Sequence, residues 1–195
     1  MVKQVTIDAM EYAKYHLEFS SVLDKAKKIV LDTKIDTTPA VVIDIDETIL
    51  SNQSYILSDN DLNDLEKFCN WQKLGICQPI QSMVEFYNWL CLKNISIFFI
   101  TARSTDLEVA TLKNLANIGV VSWTDIYFRD ASKWPIPKLF KAFSRSEIYK
   151  NGFEIILNIG DQPTDFEGGF ALNHLKVPNP FYLESELSWK EQEHT

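Results

Sequence analysis

Two aspartates at the end of a short apolar run are the first residues in the sequence whose types and spacing suggest a chemical role. In "VVIDIDETIL" (41–50), Asp44 and Asp46 stand two positions apart after valine and isoleucine. Two more carboxylates, Asp161 and Asp165, follow the apolar run 153–160. Neighbouring carboxylates raise each other's pKa unless a cation compensates their charge. The pattern therefore indicates a carboxylate cluster that binds a cation.

A hydroxyl and an ammonium group complete the set of candidate residues. Thr101 and Ala102 follow the apolar run "ISIFFI" (95–100), and Lys141 precedes Arg145 by four positions. Hydroxyl, backbone N–H and ammonium groups can hold the oxygens of a phosphate. Oxygen ligands suit Mg²⁺, and the scattered cysteines and histidines do not suggest zinc. A carboxylate beside Mg²⁺ can attack phosphorus and form an aspartyl-phosphate.

Strands that alternate with helices must bring these residues together. The apolar runs predict strands, and the segments with apolar residues at helical spacing predict helices. The helices 104–118 and 137–151 are expected to end near Gly119 and Gly152, respectively. The alternation predicts a doubly wound α/β parallel sheet, in which ligands bind beyond the carboxyl ends of the strands. The predicted order is helix 5–32, strand 40–45, a polar insertion 49–78, a helix from Pro79, strand 95–101, helix 104–118, strand 125–128, helix 137–151 and strand 153–160.

The bulk composition predicts one globular domain over residues 1–195, with 49–78 inserted within it. A net charge of -8 argues against a broad nucleic-acid surface, although a small anionic substrate needs only local positive charge. The apolar runs are too short to span a bilayer, and the first residues lack the apolar core of a signal peptide. As written, the chain is expected in the cytoplasm, unless a leader was removed. The tail 184–195 is expected to be a solvated, partly frayed end.

The three cysteines form no close pair in the sequence. Cys69, Cys77 and Cys91 are expected to be mostly free thiols. A bridge between Cys69 and Cys77 is the alternative in an oxidising compartment.

Four segments, taken in order, resemble the motifs of the haloacid dehalogenase (HAD) superfamily. They are "DIDET" (44–48), "TAR" (101–103), Lys141 with Arg145, and "GDQPTD" (160–165). The match narrows with "NGFEIILNIGDQPTDF" (151–166) and "VPNPFY" (177–182), which resemble the HAD subfamily IIIB acid phosphatases. That subfamily includes bacterial enzymes of the lipoprotein e type and plant vegetative storage proteins. The resemblance runs from about residue 20 to 185, and it implies a HAD-type Rossmann-like sheet with a small, mostly helical cap at 49–78.

The resemblance implies roles for the four aspartates. Asp44 would be the nucleophile, with its other oxygen on Mg²⁺. Asp46 would protonate the leaving alkoxide, later activate water, and bind the metal through its backbone carbonyl. Asp161 would supply the third metal contact, and Asp165 would orient metal-bound water and the lysine.

The resemblance also implies a phosphate site at Thr101, the Ala102 amide and Lys141. Ala102 stands where relatives often carry glycine or asparagine, but a backbone N–H survives that change. Lys138 and Lys150 lie nearby, and the spacing to Arg145 favours Lys141. Arg103 either contacts the substrate or solvates the start of the following helix.

The cap aromatics Tyr55 and Trp71 carry two alternative interpretations. In relatives, aromatic side chains near the cap stack on a nucleobase or an aryl leaving group. The alternative is that these two side chains pack a small core within a thin subdomain. A cap of about 30 residues is too short to seal the site alone, which leaves room for varied substrates or for a partner subunit.

Three functions fit these residues. The first is a Mg²⁺-dependent acid phosphatase of small phosphomonoesters, including nucleoside monophosphates, in a chain that could form a homo-oligomer. The second is a storage or binding protein without activity, because some relatives lost the nucleophile, although Asp44 is present here. The third is a protein Ser/Thr phosphatase, which ranks low because such proteins carry adjacent aspartates in the last motif. Here Asp161 and Asp165 are separated by three residues.

Overall fold

The computed structural model describes residues 7–58, 60 and 62–182, and its centre is a parallel sheet flanked by helices. The sheet has five strands in the order β5-β4-β1-β6-β7, and every pair in it is parallel. The elements are α1 (Ala9–Asp32), β1 (Thr38–Ile43), β2 (Leu50–Ser51), α2 (Gln53–Ile56), α3 (Leu65–Gln72), β3 (Gln78–Pro79), α4 (Gln81–Leu92), β4 (Ser96–Ser104), α5 (Glu108–Asn117), β5 (Asp125–Arg129), α6 (Pro137–Lys150), β6 (Phe153–Gly160) and β7 (His174–Lys176).

The central strand β1 is apolar on both sides because helices cover both faces of the sheet. Val41 and Ile43 join the core cluster that includes the buried faces of α1 and α4. Ala40 and Val42 point the other way and join the cluster that α6 completes. Successive side chains of a strand point to opposite faces, so a run without polar alternation is what a doubly covered strand requires. The predicted α/β class is confirmed.

Two local predictions were wrong. Pro79 was expected to begin a helix, but it pairs with Leu50 in the short sheet of β2 and β3, and α4 begins at Gln81. The strand β7 was not predicted, because three residues of which two are polar carry no apolar run. It forms by pairing with the end of β6, where Ile159 lies opposite Leu175. The predicted frayed tail at 184–195 lies outside the described residues.

The described residues of the inserted segment 49–78 contribute to two short strands and form two helices beside the main sheet, and we propose that this segment acts as the cap. Inside it, Tyr55 packs against Phe68 and Trp71, with ring centroids 5.1 and 5.4 Å away. This aromatic cluster also contains Leu62, and Phe181 from the far end of the described chain joins it. The cap is therefore a small packed unit tied to the last described residues.

The cysteines Cys69, Cys77 and Cys91 are all free thiols. Burial raises the pKa of the Cys77 thiol to about 11, so that this sulfur stays protonated and inert. Among the described helices, none combines the length and apolar character needed to cross a bilayer.

Candidate active site

The predicted site residues meet at the carboxyl edge of the sheet. Asp44 directly follows β1, and its backbone N–H donates to the carbonyl of Ile159 at 2.9 Å. Thr101 lies near the end of β4, and Asp161 directly follows β6. Because β1 lies between β4 and β6, the three residues share one edge of the sheet. Parallel pairing thus brings together positions that are far apart in the sequence.

Lys141 projects from α6 into this edge and binds two of the aspartates. Its Nζ donates to Asp44 Oδ1 at 2.6 Å and also to Asp165 Oδ1. All three residues are buried, with at most 5% of their surface exposed. Burial alone would lower the pKa of the lysine, but the charges of Asp165 and Asp44 raise it above its ordinary value. Lys141 therefore stays cationic and holds Asp44 in one orientation.

Three buried carboxylates form a cluster that can hold a metal ion. Asp44, Asp161 and Asp165 each offer an oxygen, and these oxygens lie within 4.8 Å of one another. Burial raises the pKa of Asp44 and of Asp161, although Lys141 partly offsets the effect at Asp44. One lysine cannot balance three carboxylates, so the ionised cluster needs further positive charge. The donor set is all oxygen, which fits a hard divalent cation such as Mg²⁺.

The loop that carries Asp165 is held by Arg145. The guanidinium donates to the backbone carbonyls of Asp165 at 2.5 Å, Gly169 at 2.8 Å, and Glu167. Gly160 allows the loop to approach closely, because a Cβ at this position would lie 2.1 Å from Asp165 Oδ2. The sequence spacing singled out Arg145 only as a marker for Lys141. Its contacts give it a separate role in shaping the loop.

The segment "VPNPFY" reaches back to the site through two side chains. Asn179 Nδ2 donates to Asp161 Oδ2 at 2.7 Å, and the Tyr182 hydroxyl donates to Glu47 Oε2. Glu47 is fully buried in the left-handed region at φ 52°, and it accepts the Asn52 N–H at 2.6 Å. Burial and the charge of Asp46 raise the pKa of Glu47 to about 7. The motif was noticed in the sequence, but the roles of Asn179 and Tyr182 were missed.

The side chain of Asp46 does not join the metal cluster. Arg103 binds it in a fork, with Nη2 to Oδ1 at 2.7 Å and Nε to Oδ2 at 3.0 Å. Burial raises the pKa of Asp46, but the charge and hydrogen bonds of Arg103 outweigh it, so the pKa lies below its usual value. Arg103 is 4% exposed, so the expectation that it solvates a helix start was wrong. Its contact with substrate stays a prediction.

The phosphate-binding residues predicted from the "TAR" segment lie beside this fork. Thr101 is fully buried, and its Oγ1 accepts the backbone N–H of Arg103 at 3.1 Å. Ala102 lines the cavity, and its carbonyl accepts Arg129 Nε at 3.2 Å. The Arg129 contact fixes the orientation of the peptide group between Ala102 and Arg103.

A cavity of about 490 Å³ opens above these groups, between the sheet edge and the cap. Its floor is polar and includes Asp44, Asp46 and Lys141. Its cap wall includes Leu62, Leu65, Phe68, Cys69 and Gln72. The last four recur along α3 at the spacing of one helix face. This spacing was visible in "LEKFCNWQ" (65–72) and could have identified the wall.

Tyr55 and Trp71 do not lie where a stacking role requires. Neither is among the described residues that line the cavity, and Tyr55 is 2% exposed inside the aromatic cluster of the cap. The interpretation that Tyr55 and Trp71 stack on the substrate was wrong, and their contacts support the alternative that they pack within the cap. Phe68 lies between the two environments, since it packs on Tyr55 and lines the cavity.

Comparisons with known proteins agree with this fold. A family model described as HAD superfamily, subfamily IIIB (Acid phosphatase) matches residues 1–185. The chain belongs to this family, and it is a phosphomonoesterase of the HAD acid phosphatase type, as the sequence predicted.

Similar proteins come from plants and from a bacterium. Acid phosphatase 1 of Solanum lycopersicum is 28% identical over 176 residues, covering 86% of this chain and 69% of that protein. The stem 28 kDa glycoprotein of Glycine max is 26% identical over 188 residues, covering 92% and 73%. The class C acid phosphatase of Bacillus anthracis has a similar fold, with a TM-score of 0.72 and 19% identity over 88% of this chain and 80% of that one.

Proposed function

We propose that the chain hydrolyses small phosphomonoesters with Mg²⁺, through an aspartyl-phosphate on Asp44. The observation that carries the proposal is the 2.6 Å hydrogen bond from Lys141 to Asp44 on the floor of the cavity, beside Asp161 and Asp165. A nucleophile held in one orientation beside a positive charge is suited to in-line attack on a phosphate.

In the proposed first half-reaction, an oxygen of Asp44 forms a bond to phosphorus while the bond from phosphorus to the ester oxygen breaks. Asp46, in its protonated form, gives its proton to the departing oxygen and becomes a carboxylate. In the second half-reaction, Asp46 takes a proton from water as the water oxygen attacks phosphorus, which releases phosphate and restores both carboxyls. Mg²⁺, when bound by Asp44, Asp161, Asp165 and the backbone carbonyl of Asp46, would neutralise charge on the phosphate and the cluster.

Three groups are proposed to hold the non-reacting oxygens of the phosphate. They are the Lys141 ammonium, the Thr101 hydroxyl and the Ala102 N–H. These donors would stabilise the negative charge that accumulates on the phosphate oxygens in the transition state. Lys141 is supported by its distance to the nucleophile. Thr101 and Ala102 are supported by their place at the end of β4, next to β1 in the sheet.

A panel of substrates tests this function directly. Purified protein with Mg²⁺ at mildly acidic pH should release phosphate from at least one class among aryl phosphates, sugar phosphates and nucleoside monophosphates. A chelator should stop the release, and added Mg²⁺ should restore it. Absence of release across the panel, with several divalent metals, would contradict the proposal.

The cap wall favours leaving groups with a flat apolar surface. Leu62, Leu65 and Phe68 form this part of the cavity, above the aspartates on the floor. An aromatic ring on Phe68 would gain stacking energy of about 0.5–1.5 kcal/mol beyond the area that it buries. Aryl phosphates and nucleoside monophosphates fit this wall better than sugar phosphates.

Replacement of Phe68 by alanine is expected to raise KM for aryl phosphates by about five- to tenfold, because the ring surface under the leaving group is lost. KM for a small alkyl phosphate should change much less. Steady-state kinetics on both substrates measure the difference. Phe143→Ala, on an exposed part of α6, is the matched control and should change neither. Equal changes for aryl and alkyl substrates would contradict the stacking role.

A storage function remains the second candidate, and its support is the similarity to plant proteins. Vegetative storage protein 1 of Arabidopsis thaliana is 26% identical over 156 residues, covering 78% of this chain and 58% of that protein. The presence of Asp44 with Lys141 beside it favours the enzyme. Failure of the substrate panel, in a protein that is folded by circular dichroism, would favour storage.

A further inference from the structure

The carboxylate of Asp46 is bound from two separate parts of the molecule. Its Oδ1 accepts hydrogen bonds from three residues, namely Arg103 through Nη2 at 2.7 Å and Nε at 3.2 Å, Asn52 through Nδ2 at 2.7 Å and Gln72 through Nε2 at 3.2 Å. Arg103 belongs to β4 in the main sheet, whereas Asn52 and Gln72 belong to the cap. Core and cap thus hold the same oxygen.

The two oxygens of Asp46 differ in how many donors they meet. Among the described residues, Oδ2 accepts a hydrogen bond only from Arg103 Nε, at 3.0 Å. A carboxylate oxygen has two lone pairs, so Oδ1 is saturated and Oδ2 keeps one lone pair available. A proton on Asp46 is therefore best placed on Oδ2.

The core side of this arrangement is fixed, and of the two cap residues that donate to Asp46 only Gln72 belongs to the helix α3. Arg103 Nη1 donates to Thr111 Oγ1 at 3.0 Å, and the arginine side chain is 1% exposed. Asn52 is held by Glu47, to which its Nδ2 donates at 3.0 Å. Gln72 is buried at the end of α3 and lies on the helix face that lines the cavity. Any shift of α3 against the sheet therefore changes the Gln72 contact with Asp46 first.

We infer that Gln72 is a positioning residue that couples the place of the cap to the proton transfer by Asp46. This inference rests on the proposed function, in which Asp46 protonates the leaving oxygen. Gln72 anchors Oδ1, so that the O–H bond at Oδ2 points to the ester oxygen. That O–H bond breaks as the leaving group gains the proton, and the transfer reverses when water attacks. The helix α3 then links substrate binding to catalysis, because it carries both the cap wall that contacts the substrate and Gln72, which aligns the proton donor Asp46.

The test compares leaving groups rather than total activity. Gln72→Met keeps the volume and removes the donor, so the ratio of kcat/KM for alkyl over aryl phosphates should fall by about tenfold. Alkyl leaving groups need the proton more, because their oxygens are more basic. Gln78→Met is the matched control, since Gln78 is an exposed glutamine of the cap, and the ratio should not change.

Asp46→Asn supplies the reference that separates this inference from the proposed function. In that variant the ratio should fall further than in Gln72→Met, and adding Gln72→Met to it should change nothing more. A wild-type protein without turnover, or an Asp46→Asn variant with an unchanged ratio, would overturn the proposed function and this inference with it.

An equal loss for alkyl and aryl substrates in Gln72→Met, or no loss for either, would overturn the positioning role alone. Should Gln72→Met not fold, Gln72→Leu also removes the donor without adding a charge. It should show the same fall in the ratio, and an unchanged ratio in that variant would also overturn the role.

Discussion

Replacement of Asp44 by asparagine is expected to lower kcat for every phosphomonoester by about 10⁴-fold or more, because the amide oxygen cannot form the aspartyl-phosphate. The fold should survive, since Lys141 retains its bond to Asp165. Mg²⁺ affinity should stay within about tenfold, because two carboxylates of the cluster remain and an amide oxygen can still coordinate.

Single-turnover experiments with a ³²P-labelled substrate measure the loss and its cause. The wild type should yield an acid-stable protein-bound phosphate, and Asp44→Asn should not. Asp24→Asn, at an exposed position of α1, is the matched control and should behave as the wild type. A variant that keeps most of its activity would show that covalent catalysis does not pass through Asp44.

The second large effect concerns the metal. Saturating Mg²⁺ is expected to stabilise the wild type by about 2.7 kcal/mol when its concentration is a hundred times Kd. For a chain of this length that corresponds to a rise of roughly 5–10 °C in Tm. Asp161→Asn should lose most of this rise and about 10³-fold in kcat/KM, because a direct ligand is gone.

The metal-free state of Asp161→Asn gives an independent check on the electrostatics. Burial and the charges of Asp165 and Glu47 raise the pKa of Asp161, so ionising this carboxyl costs stability when no cation is bound. Removing it should leave Tm of the metal-free protein at or above that of the wild type. Asp106→Asn, an exposed aspartate at the cavity, should keep the full Mg²⁺ shift. A full Mg²⁺ shift in Asp161→Asn would rule out Asp161 as a ligand.

The strands that carry the site were predictable because each one has an apolar run that is followed directly by a polar residue of the site. The run before Asp44 is apolar without alternation, and the run before Thr101 is interrupted only by Ser96. This pattern is typical of a strand that is covered on both faces. Parallel pairing then forces residues at the strand ends to one edge. Lys141 was placed by the resemblance, and its bond to Asp44 agrees with that placement.

The cap was less predictable because its faces depend on tertiary packing. Tyr55 and Trp71 are the more conspicuous aromatic residues, yet Tyr55 is buried in the cap and Trp71 packs against both the cap cluster and the main core. Phe68 is the one of the three that lines the cavity. The sequence of α3 contains the face 65, 68, 69 and 72, but it does not say which face meets the sheet. Likewise β7 exists only because β6 offers it an edge.

The hydrogen bonds between distant residues were beyond sequence reasoning. Nothing local marks Gln72 as a partner of Asp46, 26 positions away, or Asn179 as a partner of Asp161. Such contacts form because the folded backbone brings the side chains together. They are found only when the positions of both partners are known.

The reach of the "VPNPFY" segment has a consequence for the order of events in folding. Tyr182 meets Glu47 across 135 positions of sequence, and Lys141 meets Asp44 across 97. Contacts between such distant positions form slowly, because closing a long loop costs conformational entropy before the contact can stabilise the chain. During synthesis, β1 and the cap are made before Lys141 and Tyr182, with which Asp44 and Glu47 form these contacts. A nascent chain that ends before residue 179 already contains the proposed nucleophile Asp44, but it lacks the Asn179 amide that donates to Asp161. Competence for catalysis should therefore not precede the synthesis of residue 179.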